Sequence, residues 1–417
     1  MPTADVSALG CLPRILINLV KPIIDHPSSI TSENGDLKRT MLDLTSISVV
    51  DNHCHPVLRD QQMDALRFRS YFTEATDESF PERHISNTVY YLWLLRQAAT
   101  FYGCKNTEED ILAVRNSMSA DALLEHLLRA SNIDTLVIDA AYPSASECYA
   151  PERMGELGHC RVAKMLRLET LMQQLIITYD DFDEMLEHFS QEVSHAREHG
   201  YCALKSIVAY RTGLNISEWS RDEAVASFNE ARQSAMATGE LRIAHKPLLD
   251  YLLHIAFRHA SEQEIPVQFH TGYGDSDTDM RLGNPLHLRA ILERHDYQAM
   301  PVVLLHESYP YSQLGAYLAA IYPHVYFDLS YAIPFVEKLE MLAFTRQALS
   351  IAPASKLMYS SDGIFIPEMH WAAAIRGRSI IGQVLTEMIE ADEIDEEQAY
   401  DLAQQILQST AYSVYRL

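Results

Sequence analysis

Six residues of this chain could hold and work a metal ion, and they fall in a fixed order: His53 and His55 in VVDNHCHP, Lys205 in ALKSIVAY, His270 in VQFHTG, His306 in VVLLHES, and Asp362 in MYSSDG. Each stands at or just beyond the C-terminal end of a short apolar, β-rich run. A chain with 18 histidines will show some His-x-His by chance. Useful residues at five separate strand ends are much harder to obtain at random, so the chain reads as an enzyme.

On a strand, His53 and His55 project to the same side and can share one divalent ion, while Asp51 and Cys54 point elsewhere. His270 can complete the shell, and Asp362 can add a carboxylate oxygen and accept a proton from metal-activated water. His306 is either a ligand to a second metal or a free imidazole that polarises the substrate or shuttles a proton. Lys205 leaves a fork open: carbamylated, it bridges two metals; as an ammonium, it binds a substrate carboxylate or forms a structural ion pair. Zinc is the expected ion, one or two per chain, because imidazole and carboxylate suit it; manganese or iron fits a similar shell.

Eight apolar runs can position these groups: Ser46 to Asn52, Thr135 to Ala141, Ala163 to Leu168, Ala203 to Ala209, Pro266 to Phe269, Val302 to Leu305, Val325 to Leu329 and Leu357 to Ser360. Their near-continuous apolar character suits strands buried on both faces, and helical stretches lie between them. The expected fold is α/β, a (β/α)8 TIM barrel spanning about 46–363, which places its site at the C-terminal face. The long connection at about 57–133 reads as a helical cap beside the mouth. Two helices are expected between strands four and five, and C-terminal helices over about 364–417. Residues 8–20 read as a short packing helix, and the whole chain, 1–417, as one domain.

At 417 residues with 47% hydrophobic content, the chain can bury a substantial core. Its net charge of −24 repels phosphate backbones and anionic lipid, so neither nucleic acid nor membrane is an expected partner. The six scattered cysteines, without a Cys-x-x-Cys pair, favour a reducing, cytoplasmic setting. A small-molecule substrate is expected, with a homodimer as the assembly that analogy suggests.

Weaker candidates surround the six. Arg59 and Arg69 could clamp a substrate carboxylate, His84 could reach down from the cap, and Tyr273 with Asp275 could line the pocket. Asp328 is expected to orient a backbone group or a histidine, Cys54 to fill core space, and His245 with Lys246 to start a helix.

The ordered set resembles the amidohydrolase superfamily, in its amidohydrolase 2 branch of metal-dependent barrel hydrolases and decarboxylases. The resemblance spans roughly 46–363 and implies a metal held by His53, His55, His270 and Asp362, with Lys205 and His306 in the positions of the remaining site groups. More narrowly, VVDNHCHPVLRDQ, FTEATD and ALKSIVAYRTGL are similar to the amidohydrolase domain linked to glutamine-synthetase-like proteins. The chain is expected to correspond to that half alone, which makes an amide or γ-glutamyl-type substrate worth testing. His-Cys-His also resembles uronate isomerases. The leading expectation is hydrolysis of an amide-type C–N bond. Metal-dependent decarboxylation of a small carboxylic acid is the alternative, and a catalytically silent binding barrel is the third reading.

Overall fold

The computed structural model describes residues 40–417. The helix expected at 8–20 lies outside the described residues, as does the place of the first forty in the domain. Met41–Leu417 hold together as one compact unit.

Eight strands form one parallel sheet in sequential order: β1 Val49–Cys54, β2 Ile133–Ile138, β3 Arg161–Arg167, β4 Tyr201–Ser206, β5 Val267–Phe269, β6 Val302–Leu304, β7 Val325–Ser330 and β8 Leu357–Ser360. Beyond the seven paired ladders, the sheet curls shut through polar contacts between its ends. Asn52 Nδ2 donates to the Tyr359 carbonyl at 2.9 Å. Just past the strands, Asp362 N donates to the His53 carbonyl at 3.0 Å and His55 N to the Gly363 carbonyl at 2.8 Å. The expected (β/α)8 barrel is therefore present.

The floor is apolar. Val50, Val137, Met165, Ala203, Val303, Leu305 and Met358 pack with Ala411, Val414 and Tyr415 in one buried cluster, so the helix Thr410–Tyr415 plugs the end opposite the mouth. Side chains fill a small barrel in this way, and only the rim is left for chemistry.

The connection after β1 folds into helices Ala65–Ser70, Phe80–Arg83, Val89–Tyr102, Glu108–Asn116 and Ala120–Ala130. Their starts follow capping chemistry: Thr88, Thr107 and Ser119 each accept a backbone N–H of the first turn. The cap is fastened from below. Arg115, fully buried, donates from Nε to Glu368 Oε1 at 2.6 Å and also bonds Gln61. Glu368 lies on the 24-residue helix Pro367–Glu390 that follows β8. Arg221–Thr238 and Lys246–Gln263 are the two helices expected between β4 and β5. His245 stands at the start of the second of them without a capping side-chain bond, and Lys246 pairs with Asp250 at 2.8 Å.

Among the described residues, no helix is long and apolar enough to cross a membrane.

Candidate metal centre

His53, His55 and Asp362 converge, with one ligand atom from each lying within 4.8 Å of the others. Asp362 Oδ1 stands 3.6 Å from His53 Nε2 and 3.7 Å from His55 Nε2. Its other oxygen is 3.1 Å from His306 Nδ1 and 3.5 Å from the Tyr273 hydroxyl. The rings of His270 and His306 lie 4.4 Å apart between centroids, and that of His53 is 5.3 Å from that of His306. Lys205 Nζ reaches His53 Nε2 at 3.4 Å. All six expected residues therefore meet at one mouth. His270 and His306 flank the compact trio.

The hydrogen bonds decide which nitrogen of each ring is free. Gln268 Nε2 donates to the Asn52 carbonyl and to the Tyr415 hydroxyl, both at 2.7 Å. Its Oε1 therefore faces His53 Nδ1, at 2.8 Å, and can only accept. His53 must carry its proton on Nδ1, which bares Nε2 toward Asp362. His55 Nδ1 likewise faces the carbonyls of Tyr142 at 2.9 Å and Asp139 at 3.2 Å, leaving Nε2 free. His270 Nε2 gives its proton to the Tyr273 carbonyl at 2.6 Å, leaving Nδ1. His306 Nδ1 is buried without a hydrogen-bond partner, being off the line that a bond to Asp362 needs. Burial holds all four imidazoles below the ordinary histidine range, His55 less far than the others. His53, His55 and His270 are thus neutral rings with one tethered N–H and an unprotonated second nitrogen, which is what metal ligation requires, so with Asp362 they fit a divalent ion; His306 has no such tether. Burial also lowers Lys205 to about 8 and pushes Asp362 up from the usual carboxylate range.

Backbone strain collects at the same place. Asp362 has φ 50°, and His306, Glu307 and Ser308 run at φ 60°, 56° and 46°, a left-handed stretch that non-glycine residues rarely adopt. The surroundings hold it. Asp328 Oδ1 accepts from His306 N at 2.9 Å and its Oδ2 from Asn52 Nδ2 at 2.9 Å, the orienting role expected of it. Asp51 accepts from Ser361 N at 2.7 Å and Ser361 Oγ at 2.5 Å, fixing the turn that presents Asp362. Cys54 is buried, with its thiol toward the Val137 carbonyl at 3.6 Å.

The structure separates the other candidates. Tyr273 lines the centre, its ring 5.9 Å from His306. Arg69 is drawn off by Glu108, at 2.8 and 2.5 Å, and Arg59 by the Ser146 carbonyl. His84 is exposed, its ring against Phe80 at 4.9 Å. These three follow β1 closely in sequence, but the cap carries Arg69 and His84 into its own packing and the Cys148 segment takes Arg59. In their place stand residues the sequence reading did not single out: Gln268, Glu74, Tyr142, Tyr210, and the pair Arg167–Asp139 at 2.6 Å. A glutamine inside the apolar run VQF and charges at the ends of β2 and β3 were the available signals. Glu74 had none beyond its segment.

Comparison with known proteins agrees with this geometry. The amidohydrolase family model, Amidohydro_2, matches residues 187–417, more than half of the chain. Protein fluG of Emericella nidulans is 27% identical over 402 residues, covering 88% of this chain and 46% of its own length. The chain thus spans about half the length of that curated relative. A Lactobacillus casei protein assigned as a metal-dependent hydrolase superposes with a TM-score of 0.80 at 29% identity, over 90% of this chain and 98% of its own. The uronate isomerase of Thermotoga maritima shares the fold, with a TM-score of 0.61 at 15% identity over 89% and 95% of the two chains. By the match over its second half and the ligand-ready mouth of its barrel, the chain belongs to the amidohydrolase family and is an enzyme of that superfamily.

Proposed function

We propose that the chain hydrolyses an amide-type C–N bond of a small molecule, with a divalent metal held by His53, His55, His270 and Asp362. The observation that carries this reading is the hydrogen-bond pattern that leaves one unprotonated nitrogen on each of His53, His55 and His270 around Asp362. A metal bound there supplies a Lewis acid that polarises the scissile carbonyl and acidifies water.

The chain's own groups supply the proton chemistry. Asp362 is placed to take a proton from the attacking water, with the Tyr273 hydroxyl steadying its second oxygen. His306, whose Nδ1 lies 3.1 Å from that oxygen but off its hydrogen-bond line, can receive the proton after a turn of its ring and pass it to the departing amine. Lys205 keeps its fork: an ammonium beside His53, or a carbamate joining two ions. Zinc is the expected metal.

Decarboxylation gains from the single compact trio but loses at the rim. Arg59 and Arg69 are engaged elsewhere, Arg167 is bound to Asp139, and no guanidinium among these is left for a substrate carboxylate.

Metal content per chain, measured on protein purified without chelator, on Lys205→Ala and on His53→Ala, tests the reading together with release of amine from a panel of small amides. One or two equivalents, an activity that needs them, and loss of both in His53→Ala are expected. Two equivalents falling on Lys205→Ala identify the carbamate; one, unchanged by it, identifies a mononuclear site. Absence of metal from the wild type would sink the proposal and leave a silent barrel.

A further inference from the structure

Glu74 belongs to the cap by sequence and to the metal centre by position. It lies within electrostatic reach of Asp362 and Asp275, of Tyr142, of Tyr210 and of Tyr273. These residues follow β8, β5, β2 and β4, so Glu74 stands beside the mouth that they share. The segment is tied there by Thr76 Oγ1 to Ser276 Oγ at 3.0 Å. Half-buried, the Glu74 carboxylate makes no hydrogen bond or ion pair among the described residues. Burial, then Asp362 and Asp275, push it up to about 7. An ionised carboxylate in this setting lacks compensation.

Its surroundings distinguish Glu74 from a solvated acid. Tyr142 meets Phe365 edge-on at 5.9 Å, Tyr273 meets Phe335 edge-on at 5.1 Å, and Tyr210 tilts against His270 at 4.3 Å, so the tyrosines that Glu74 senses belong to an aromatic lining of the mouth. A carboxylate with aromatic rings nearby is the combination that receives an organic cation.

We propose that Glu74 is a specificity-determining residue and that the substrate carries a cationic amine, remote from the scissile bond, which Glu74 and the aromatic wall receive. The proposal deepens the amide-hydrolase reading and rests on it for the location of the scissile bond.

The probe pair is benzylammonium and benzyl alcohol, alike in shape and different in charge. Their binding is measured by calorimetry in about 0.15 M salt on the full chain, on Glu74→Gln, and on Glu198→Gln at an exposed surface position that reports general attraction to a chain of net charge −24. Wild type and Glu198→Gln are expected to prefer the ammonium by at least about tenfold. In Glu74→Gln the preference should shrink to less than about threefold with metal content unchanged. Tyr142→Leu, at a half-exposed ring, should weaken the ammonium severalfold and spare the alcohol. The proposal is overturned by equal binding of the two probes to wild type, by a preference that survives Glu74→Gln, or by loss of metal in Glu74→Gln, which would make Glu74 a ligand. Binding is read without turnover. A chain that splits no amide yet keeps a Glu74-dependent preference fails the hydrolase reading alone, and a working amidase with no such preference fails only this one.

Discussion

Gln268 shows how little of a metal centre is its ligands. It touches no ion, yet its carboxamide decides which nitrogen of His53 is bare, and its own orientation is set by the Asn52 carbonyl and the Tyr415 hydroxyl. Second-layer partners of this kind typically change metal affinity by about 10- to 100-fold. Gln268→Leu should therefore weaken zinc binding by at least about tenfold, read by competition against a chromogenic chelator. Gln268→Glu, which keeps an acceptor for His53 Nδ1, should recover part of the loss. Equal affinity in Gln268→Leu and wild type would show that packing alone orients His53. The six ligand-type residues were legible because histidine and aspartate at the ends of apolar runs are conspicuous. Gln268 and Glu74 were not, because their meaning comes from partners some 200 residues away, His53 for one and the loop holding Ser276 for the other.

The same difference governs the elements. All eight strands were visible as apolar runs, since a strand covered on both faces has no polar side to obscure it. Their edges were less clear. The structure starts β2 at Ile133 and β3 at Arg161, earlier than their apolar runs, where Asp134 and Arg161 pair with each other at the floor end of the barrel at 2.7 Å. It ends β4 at Ser206, where Val208–Tyr210 turns into a short helix buried in the mouth, so the apolar run outlasts the strand. What no run of residues announces is how the cap is held. Arg115 and Glu368, 253 positions apart, form a fully buried pair, and Tyr102 adds a hydroxyl to the same carboxylate at 3.0 Å. Removing one partner of such a pair leaves an uncompensated buried charge, which costs about 3–5 kcal/mol. Glu368→Ala should lose that much stability, seen as a lower denaturation midpoint. Arg115→Met with Glu368→Leu should lose much less, because neither charge is then stranded. Equal losses in the two proteins would mean that the pair acts through shape, and that the cap would dock as well on an apolar contact.

At the scale of the whole molecule, the two ends of the barrel are one system. The plug helix Thr410–Tyr415 fills the floor, but Tyr415 also reaches up the interior, donating to Asn52 Oδ1 at 3.0 Å and accepting from Gln268 at 2.7 Å. Asn52 in turn holds Asp328 and the Tyr359 carbonyl, and Asp328 holds the backbone of His306. One hydroxyl on the plug thus stands behind His53 through Gln268 and behind His306 through Asn52 and Asp328. Tyr415→Phe keeps the ring and its packing and removes only this hydroxyl, leaving buried polar groups short of a partner, a cost of about 1–3 kcal/mol. If the network transmits that loss, zinc affinity should fall together with stability, although the change lies on the floor of the barrel. The decisive comparison is a double-mutant cycle with Gln268→Leu, because residues in one hydrogen-bond network lose less together than the sum of their separate losses, with coupling of about 0.5–3 kcal/mol. Additive effects on zinc affinity would mean that the plug stabilises the barrel without steering the site. A coupled loss would make the floor of the barrel part of the machinery that keeps His53 ready for its metal.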